Sequence, residues 1–199
     1  MKTILITGGS GYLGTVLVNK LIKKNYKIIN LDSMFYFSSL NNQKIHKKII
    51  NFIGVTEDKY ILDEIFSNYK IHTVIHLSGV SNDPTALLDP ALTEKSNVFA
   101  TKLLVKIAKK NKVKKFLFAS SCSVYGFTGE KIVVNEKSKL NPLSEYSKSK
   151  VKGEKIIIKE KSKNFFVNCL RMGTLYGPSP RMRFDLALNT MVGSADRKS

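Results

Sequence analysis

The sequence predicts a doubly wound α/β domain built on a parallel sheet. Three observations carry this. Short β-rich runs alternate with helical stretches as far as Gly177, the strand runs are apolar on consecutive residues, and a glycine-rich turn joins the first strand to the first helix. Continuous apolar strands belong in sheets covered on both faces, which are typically parallel. With 199 residues, 43% of them hydrophobic, the chain is long enough to bury a core.

The elements follow in order. "KTILIT" reads as the first strand, and Leu13, Val16, Leu17, Val18, Leu21 and Ile22 then recur at helical spacing. "KIINLD" and "HKKIINFI" read as the second and third strands, "KYILDEIFSNY" as a helix and "IHTVIHLS" as the fourth strand. "TEKSNVFATKLLVKIAKKN" predicts one long helix ending near Asn111. "KKFLFAS" is the fifth strand, residues 126–142 a loop, "EYSKSKVKGEKIIIKEK" a helix weakened by Gly153, and "FFVNCLR" the sixth strand. Beyond Gly177 the alternation stops, and the small, polar "GSADRKS" predicts a frayed terminus.

The formal net charge is +18, from 33 Lys and Arg against 15 Asp and Glu. Such a field favours anionic partners, either nucleic acid or phosphorylated small molecules. The lysines are dispersed, however, in "KKNYK", "KIHKK", "KIAKKNKVKK" and "KEKSK". Nucleic-acid readers gather Arg and aromatics on one element, so a solvated lysine-rich surface is the preferred reading and nucleic acid is not expected. Cys122 and Cys169 form neither a metal spacing nor a disulfide framework, which fits a reducing compartment. No metal site is expected, and no run approaches the ~20 apolar residues of a membrane span. A cytoplasmic protein is the expectation.

Two motifs carry chemistry. "TGGSGYLG" places Gly8, Gly11 and Gly14 between a strand and a helix. Glycine lets the backbone turn tightly and approach a pyrophosphate, which the helix N-terminus then faces with free N–H groups. Asp32 ends the second strand 18 residues past Gly14. An acid there holds a ribose 2′-hydroxyl and repels a 2′-phosphate, favouring NAD over NADP; the plainer alternative is a strand-end Asp that caps a turn. In "EYSKSK", Tyr146 and Lys150 stand four apart on one helix face. An ammonium beside a phenol lowers its pKa from about 10, making Tyr146 a usable base. His76, inside an apolar strand, reads as a packed core histidine.

Taken in order, "TGGSGYLG", "LD", "HLSG", "SSCSVYG", "YSKSK" and "LRMGTLYGPSPRMRFD" resemble the extended short-chain dehydrogenase/reductase family, in its NAD-dependent epimerase/dehydratase branch. The resemblance implies a Rossmann fold, NAD as cofactor, a nucleotide-diphosphate sugar as substrate and a homodimer. It implies Ser121, Tyr146 and Lys150 as catalytic residues. Ser121 would hydrogen-bond the substrate hydroxyl, Tyr146 would take its proton, and Lys150 would also hold the nicotinamide ribose. Gly8, Gly11, Tyr12, Leu13, Gly14, Asp32, Asp58, Leu77, Ser78, Gly79, Asn97, Tyr146, Lys150 and Gly173 match cofactor positions, Met172 and Thr174 flank Gly173 at the same strand end, and Ser121 and Ser123 match substrate positions; Arg181 and Arg183 lie where one of them would meet the substrate diphosphate, the plainer alternative being a solvated loop charge. The 25 residues from Ser121 to Tyr146 resemble the sugar 4-epimerases. Three departures stand out. Val55 occupies the place of an adenine-binding Asp, leaving Asp58 as the second acid of that pattern. Cys122 and Ser123 stand where 4,6-dehydratases carry Asp-Glu, which argues against dehydration. The family continues into a C-terminal substrate domain, so residues 1–177 are expected to form the NAD-binding domain and 178–199 the start of a shortened substrate region. A 4-epimerase is the leading expectation; a dehydrogenase of the same family, a non-catalytic NAD binder and a nucleic-acid binder are the alternatives.

Overall fold

The computed structural model describes residues 1–35, 48–127, 129 and 133–196. Six strands form one parallel sheet: β1 (Thr3–Thr7), β2 (Lys27–Asp32), β3 (Ile49–Ile53), β4 (Ile71–His76), β5 (Lys115–Ser121) and β6 (Phe166–Met172), in the order β3-β2-β1-β4-β5-β6. The chain winds outward from β1 to β3, then restarts at β4 on the other side. This reversal opens a crevice at the carboxyl ends of β1 and β4.

Period-two alternation explains the core, because successive residues of each central strand enter opposite faces. Leu5, Ile29, Val74, Phe116 and Phe118 pack with Leu62 and Ile65 of α2 (Lys59–Asn68), Leu104 of α5 (Ala100–Lys110) and Ile157 of α6 (Glu145–Glu160). Their neighbours Ile4, Ile6, Ile28 and Ile75 pack with Val18 of α1 (Tyr12–Ile22). The strands thus fall where the apolar runs predict, with His46 and Lys47 of the expected third strand outside the described residues.

Three predictions need correction. The segment after β4, with no expected element, contains α3 (Asp83–Leu88), capped by Asn82 accepting from the Thr85 N–H at 2.8 Å. The expected long helix instead begins with α4 (Pro90–Thr93), passes through a π-helical segment (Glu94–Phe99) and continues as α5. The fraying expected of "GSADRKS" is not seen at Gly193–Asp196, which form the last turn of α7 (Ala187–Asp196). The last three residues of "GSADRKS", Arg197, Lys198 and Ser199, lie outside the described residues.

Candidate functional site

The glycine-rich turn leaves β1 at the crevice. Gly8 has φ +75°, and a Cβ there would lie 2.7 Å from the Ser78 backbone N. At Gly14, inside the first turn of α1, a Cβ would meet the Gly8 carbonyl oxygen at 2.3 Å. Larger residues would therefore open the turn. Gly11 caps α1 without any side-chain hydrogen bond, leaving first-turn N–H groups to a ligand or solvent. Tyr12 is held from behind: its hydroxyl donates to the Gly177 carbonyl at 2.7 Å and accepts from Asn189 Nδ2 at 3.1 Å. Leu13 is partly buried in the same turn.

Asp32 sits at the carboxyl end of β2, where Oδ2 accepts from the Ser10 N–H and Oδ1 from the Met34 N–H, both at 2.9 Å. It therefore caps its own turn and braces the glycine-rich turn. Each carboxylate oxygen keeps a further lone pair for a ribose hydroxyl.

Ser121, Tyr146 and Lys150 come together across β5 and α6. Ser121 ends β5 and caps a 3₁₀ turn (Cys122–Tyr125), accepting from the Ser123 N–H at 3.1 Å and donating to Ser123 Oγ at 3.0 Å. The polar "SSCSVYG" stretch is thus a structured strand end. Ser144 starts α6 through a capping box with Ser147, which places Tyr146 and Lys150 on the crevice side. Lys150 is buried, its Nζ 5.0 Å from the Phe118 ring centroid and 5.5 Å from that of Tyr146. Burial lowers its pKa to about 8. The phenol departs from the expectation: burial raises its pKa, Asp83 and Cys122 push the same way, and Ser121 and Arg183 oppose. Lys150 faces the ring rather than the hydroxyl, so it does not depress the phenol in this state.

The remaining candidates divide. Leu77 donates its N–H to the Thr7 carbonyl at 2.9 Å, and Ser78 donates its hydroxyl to Thr7 Oγ1 at 3.0 Å, so both line the crevice beside Gly8. Gly79 has φ +127° and lies against Asn97, which a Cβ would meet at 2.3 Å. The Asn97 amide is fully engaged: Oδ1 accepts from the Val80 N–H at 2.7 Å and from Ser96 Oγ at 3.3 Å, and Nδ2 donates to the Val80 carbonyl and Ser149 Oγ. It places the segment after β4 and offers no spare donor to a ligand. Asp58 caps α2, accepting from the Tyr60 and Ile61 N–H groups. Gly173 follows β6 with nothing within 4 Å of a Cβ position, leaving open space at that strand end. Arg183 pairs with Asp185 and donates to Ser81 Oγ at 3.3 Å, close enough for its charge to act on Tyr146. The Arg181 N–H donates to Ser179 Oγ.

Sequence reasoning missed the support beneath the site. Glu154, one helical turn beyond Lys150, is buried; it accepts from Ser120 Oγ at 2.5 Å and from Arg171 Nη2 at 2.7 Å. Arg171 also donates to the Tyr125 hydroxyl at 3.0 Å, tying β6 to the 3₁₀ turn. The sequence offered a signal only at Arg171, a charge inside the mostly apolar run "FVNCLRM"; Glu154 lies in a lysine-rich helix, where one more charge does not stand out.

Two features test whether NAD fits. The glycine-rich turn is a cradle that side chains would fill, and the buried Lys150 ammonium meets no hydrogen-bond acceptor among the described residues. Both fit a ligand rich in phosphate and hydroxyl oxygens.

A parallel sheet with a glycine-rich βα turn, an acid ending β2 and a Tyr-Lys helix at the carboxyl edge defines a Rossmann-type dinucleotide-binding protein. The chain belongs to the NAD dependent epimerase/dehydratase family, whose sequence profile matches residues 4–195. A dTDP-D-glucose 4,6-dehydratase of Dictyostelium discoideum is 36% identical over 165 residues, 75% of this chain and 38% of that protein. A UDP-glucose 4-epimerase of Yersinia pestis is 32% identical over 152 residues, 74% of this chain and 45% of that protein. The solved structure of MoeE5 in complex with UDP-glucose and NAD has a TM-score of 0.81 and 25% identity, covering 96% of this chain and 60% of that one. The chain therefore spans less than half the length of these two curated relatives.

Proposed function

We propose that the chain binds NAD(H) and serves a nucleotide-diphosphate-sugar 4-epimerase reaction that passes through a transient keto sugar. The observation that carries this is the convergence of Ser121, Tyr146 and Lys150 at the carboxyl edge, beside a turn that only glycine can make. Bound NAD would supply hydride acceptance and return. The chain's own residues would do the rest. The Gly8–Gly14 turn would hold the pyrophosphate and Asp32 a ribose hydroxyl, with Lys150 donating to ribose oxygens. Ser121 Oγ would orient a ring hydroxyl, and the Tyr146 phenol would exchange its proton. Arg181 or Arg183 would meet the diphosphate by charge-assisted hydrogen bonds.

Similarity to both epimerases and dehydratases leaves two chemistries to choose between. Loss of water requires an acid and a base beside the catalytic hydroxyl, and Cys122 and Ser123 supply no carboxyl there. This favours epimerisation. A homodimer is part of the proposal, supported by the exposed apolar side chains of Leu87, Leu88 and Phe99, with light scattering as its check. Among the described residues no helix is long and apolar enough to cross a membrane. A cytoplasmic setting is also part of the proposal, supported by the free thiols of Cys122 and Cys169.

Calorimetry with NADH and NADPH tests the cofactor reading. NADH is expected to bind at least about tenfold more tightly, because Asp32 would face the extra phosphate. Equal or tighter NADPH binding would falsify the Asp32 assignment. A panel of UDP-, GDP-, CDP- and dTDP-sugars then tests turnover. Tyr146→Phe is expected to cost about 10²–10⁴ in rate while sparing NADH affinity.

A further inference from the structure

His76 is fully enclosed and has no place in the proposed chemistry. Its ring packs against Phe116 and Phe118 at centroid distances of 6.1 and 5.7 Å. Both nitrogens are nonetheless partnered: Nδ1 lies 2.7 Å from Thr7 Oγ1 and Nε2 lies 2.9 Å from Thr101 Oγ1.

The far end of this arrangement fixes the tautomer of the ring. Thr101 Oγ1 lies 2.5 Å from the Asn97 carbonyl, which only accepts, so the hydroxyl proton of Thr101 is spent there. Thr101 must then accept from His76, so Nε2 carries the ring proton and Nδ1 the lone pair. Thr7 donates to that lone pair. Its oxygen in turn accepts from Ser78 Oγ at 3.0 Å, and Ser78 Oγ accepts from Thr56 Oγ1 at 2.8 Å. One directed chain therefore runs Thr56, Ser78, Thr7, His76, Thr101, Asn97. A second ring proton would set a donor against the Thr7 proton; burial and the Lys150 charge oppose it too, lowering the pKa to about 3.

The chain joins the walls of the crevice. Thr7 precedes Gly8, Ser78 lies against Gly8, and Asn97 holds Val80 and reaches Ser149, the neighbour of Lys150. We infer that His76, locked as the Nε2–H tautomer, is a positioning residue for the dinucleotide, holding the glycine-rich turn and the Asn97 segment at a fixed separation. The inference rests on the NAD-binding reading.

Two measurements test it separately. Long-range ¹H–¹⁵N correlation spectra of the free protein, assigned by difference with His76→Gln, should show His76 as the neutral Nε2–H form, unchanged from about pH 7.5 to 5. An Nδ1–H or titrating ring overturns the chain itself. NADH affinity is then compared between two variants. Glutamine presents a donor and an acceptor in the same order, so His76→Gln should stay within about threefold of wild type, whereas His76→Leu should lose about tenfold or more. Equal affinities for the two variants overturn the positioning role. If His76→Leu does not fold, Thr101→Val replaces it, with the same expected loss and the same overturning result, an unchanged affinity. Failure of wild type to bind NADH overturns the cofactor reading, and the positioning role with it, and is recognised by an intact tautomer signal.

Discussion

A lysine at 5% exposure whose ammonium lies near two aromatic rings and finds no hydrogen-bond acceptor among the described residues is costly in the free protein. Its pKa of about 8 against 10.5 means that, between those values, the unfolded chain binds more protons than the folded one. The stability governed by Lys150 therefore rises with pH across that window. A ligand that offers oxygens to Nζ reverses the preference, because it favours the charged form. NADH binding near pH 9 is therefore expected to take up about half a proton or more, read from calorimetry in buffers of different ionisation enthalpy. Lys150→Met should abolish the uptake and weaken binding. Uptake that persists in Lys150→Met would assign the proton to another group. The same linkage acts on His76 with acid: its pKa is lowered from 6.5 to about 3, so the stability it governs is lost as pH falls through that range.

Gly153 looks like a flaw in α6, since glycine costs a helix interior about 1 kcal/mol relative to alanine. The packing explains it. A Cβ at Gly153 would lie 2.8 Å from Cζ and 3.2 Å from Cε1 of Phe118, a ring fully enclosed between the His76 ring and the Lys150 ammonium. Gly153→Ala is thus expected to destabilise by about 1–2 kcal/mol in urea unfolding, despite its better helix propensity, and to weaken NADH binding by displacing Phe118. A stabilised variant would show that the ring yields. Central strands such as "TILIT" and "KIINLD" were legible because they are buried on both faces and need no tertiary knowledge; the edge strands β3 and β6 are partly exposed and were legible from their apolar runs alone. The Tyr146–Lys150 pairing was legible for a similar reason, since helical spacing alone puts both on one face. α3 was not, because six residues rich in Asp, Pro and Thr carry no period. Nor was the π segment, or the chain through His76, whose partners lie 69 and 25 residues away in sequence. Asp58 fitted a binding pattern because an acid before a helix and an acid facing a ligand look alike in sequence; its carboxylate caps α2.

Lysines dispersed along the sequence are gathered by the fold. Parallel alternation brings strand starts and helix ends to one edge of the sheet, where Lys23 and Lys24 follow α1, Lys109 and Lys110 end α5, and Lys114 and Lys115 lead into β5. Acids collect at the opposite edge: Asp32 ends β2, Asp58 and Asp83 stand at the starts of α2 and α3, and Glu145 begins α6. Helix dipoles favour both placements, which accounts for the segregation without any partner. The arrangement crowds like charges. His72, near the start of β4, has its pKa lowered by burial first and then by Lys2, Lys115 and Lys114. The Lys109–Glu160 pair at 2.9 Å is the relief that the described ion pairs provide at this edge. Removing one of the crowding charges should therefore stabilise the molecule. Lys114→Glu is expected to raise the His72 pKa, followed by its ring proton resonances, and to raise the urea midpoint at low salt by the equivalent of about 0.5–1 kcal/mol. Both effects should shrink above about 0.1 M salt, where the screening length falls to ~10 Å. Wild type should itself become more stable over the same rise in salt. A Lys114→Glu variant no more stable than wild type at low salt, with His72 unmoved, would mean that the lysines at this edge are too well solvated to repel one another.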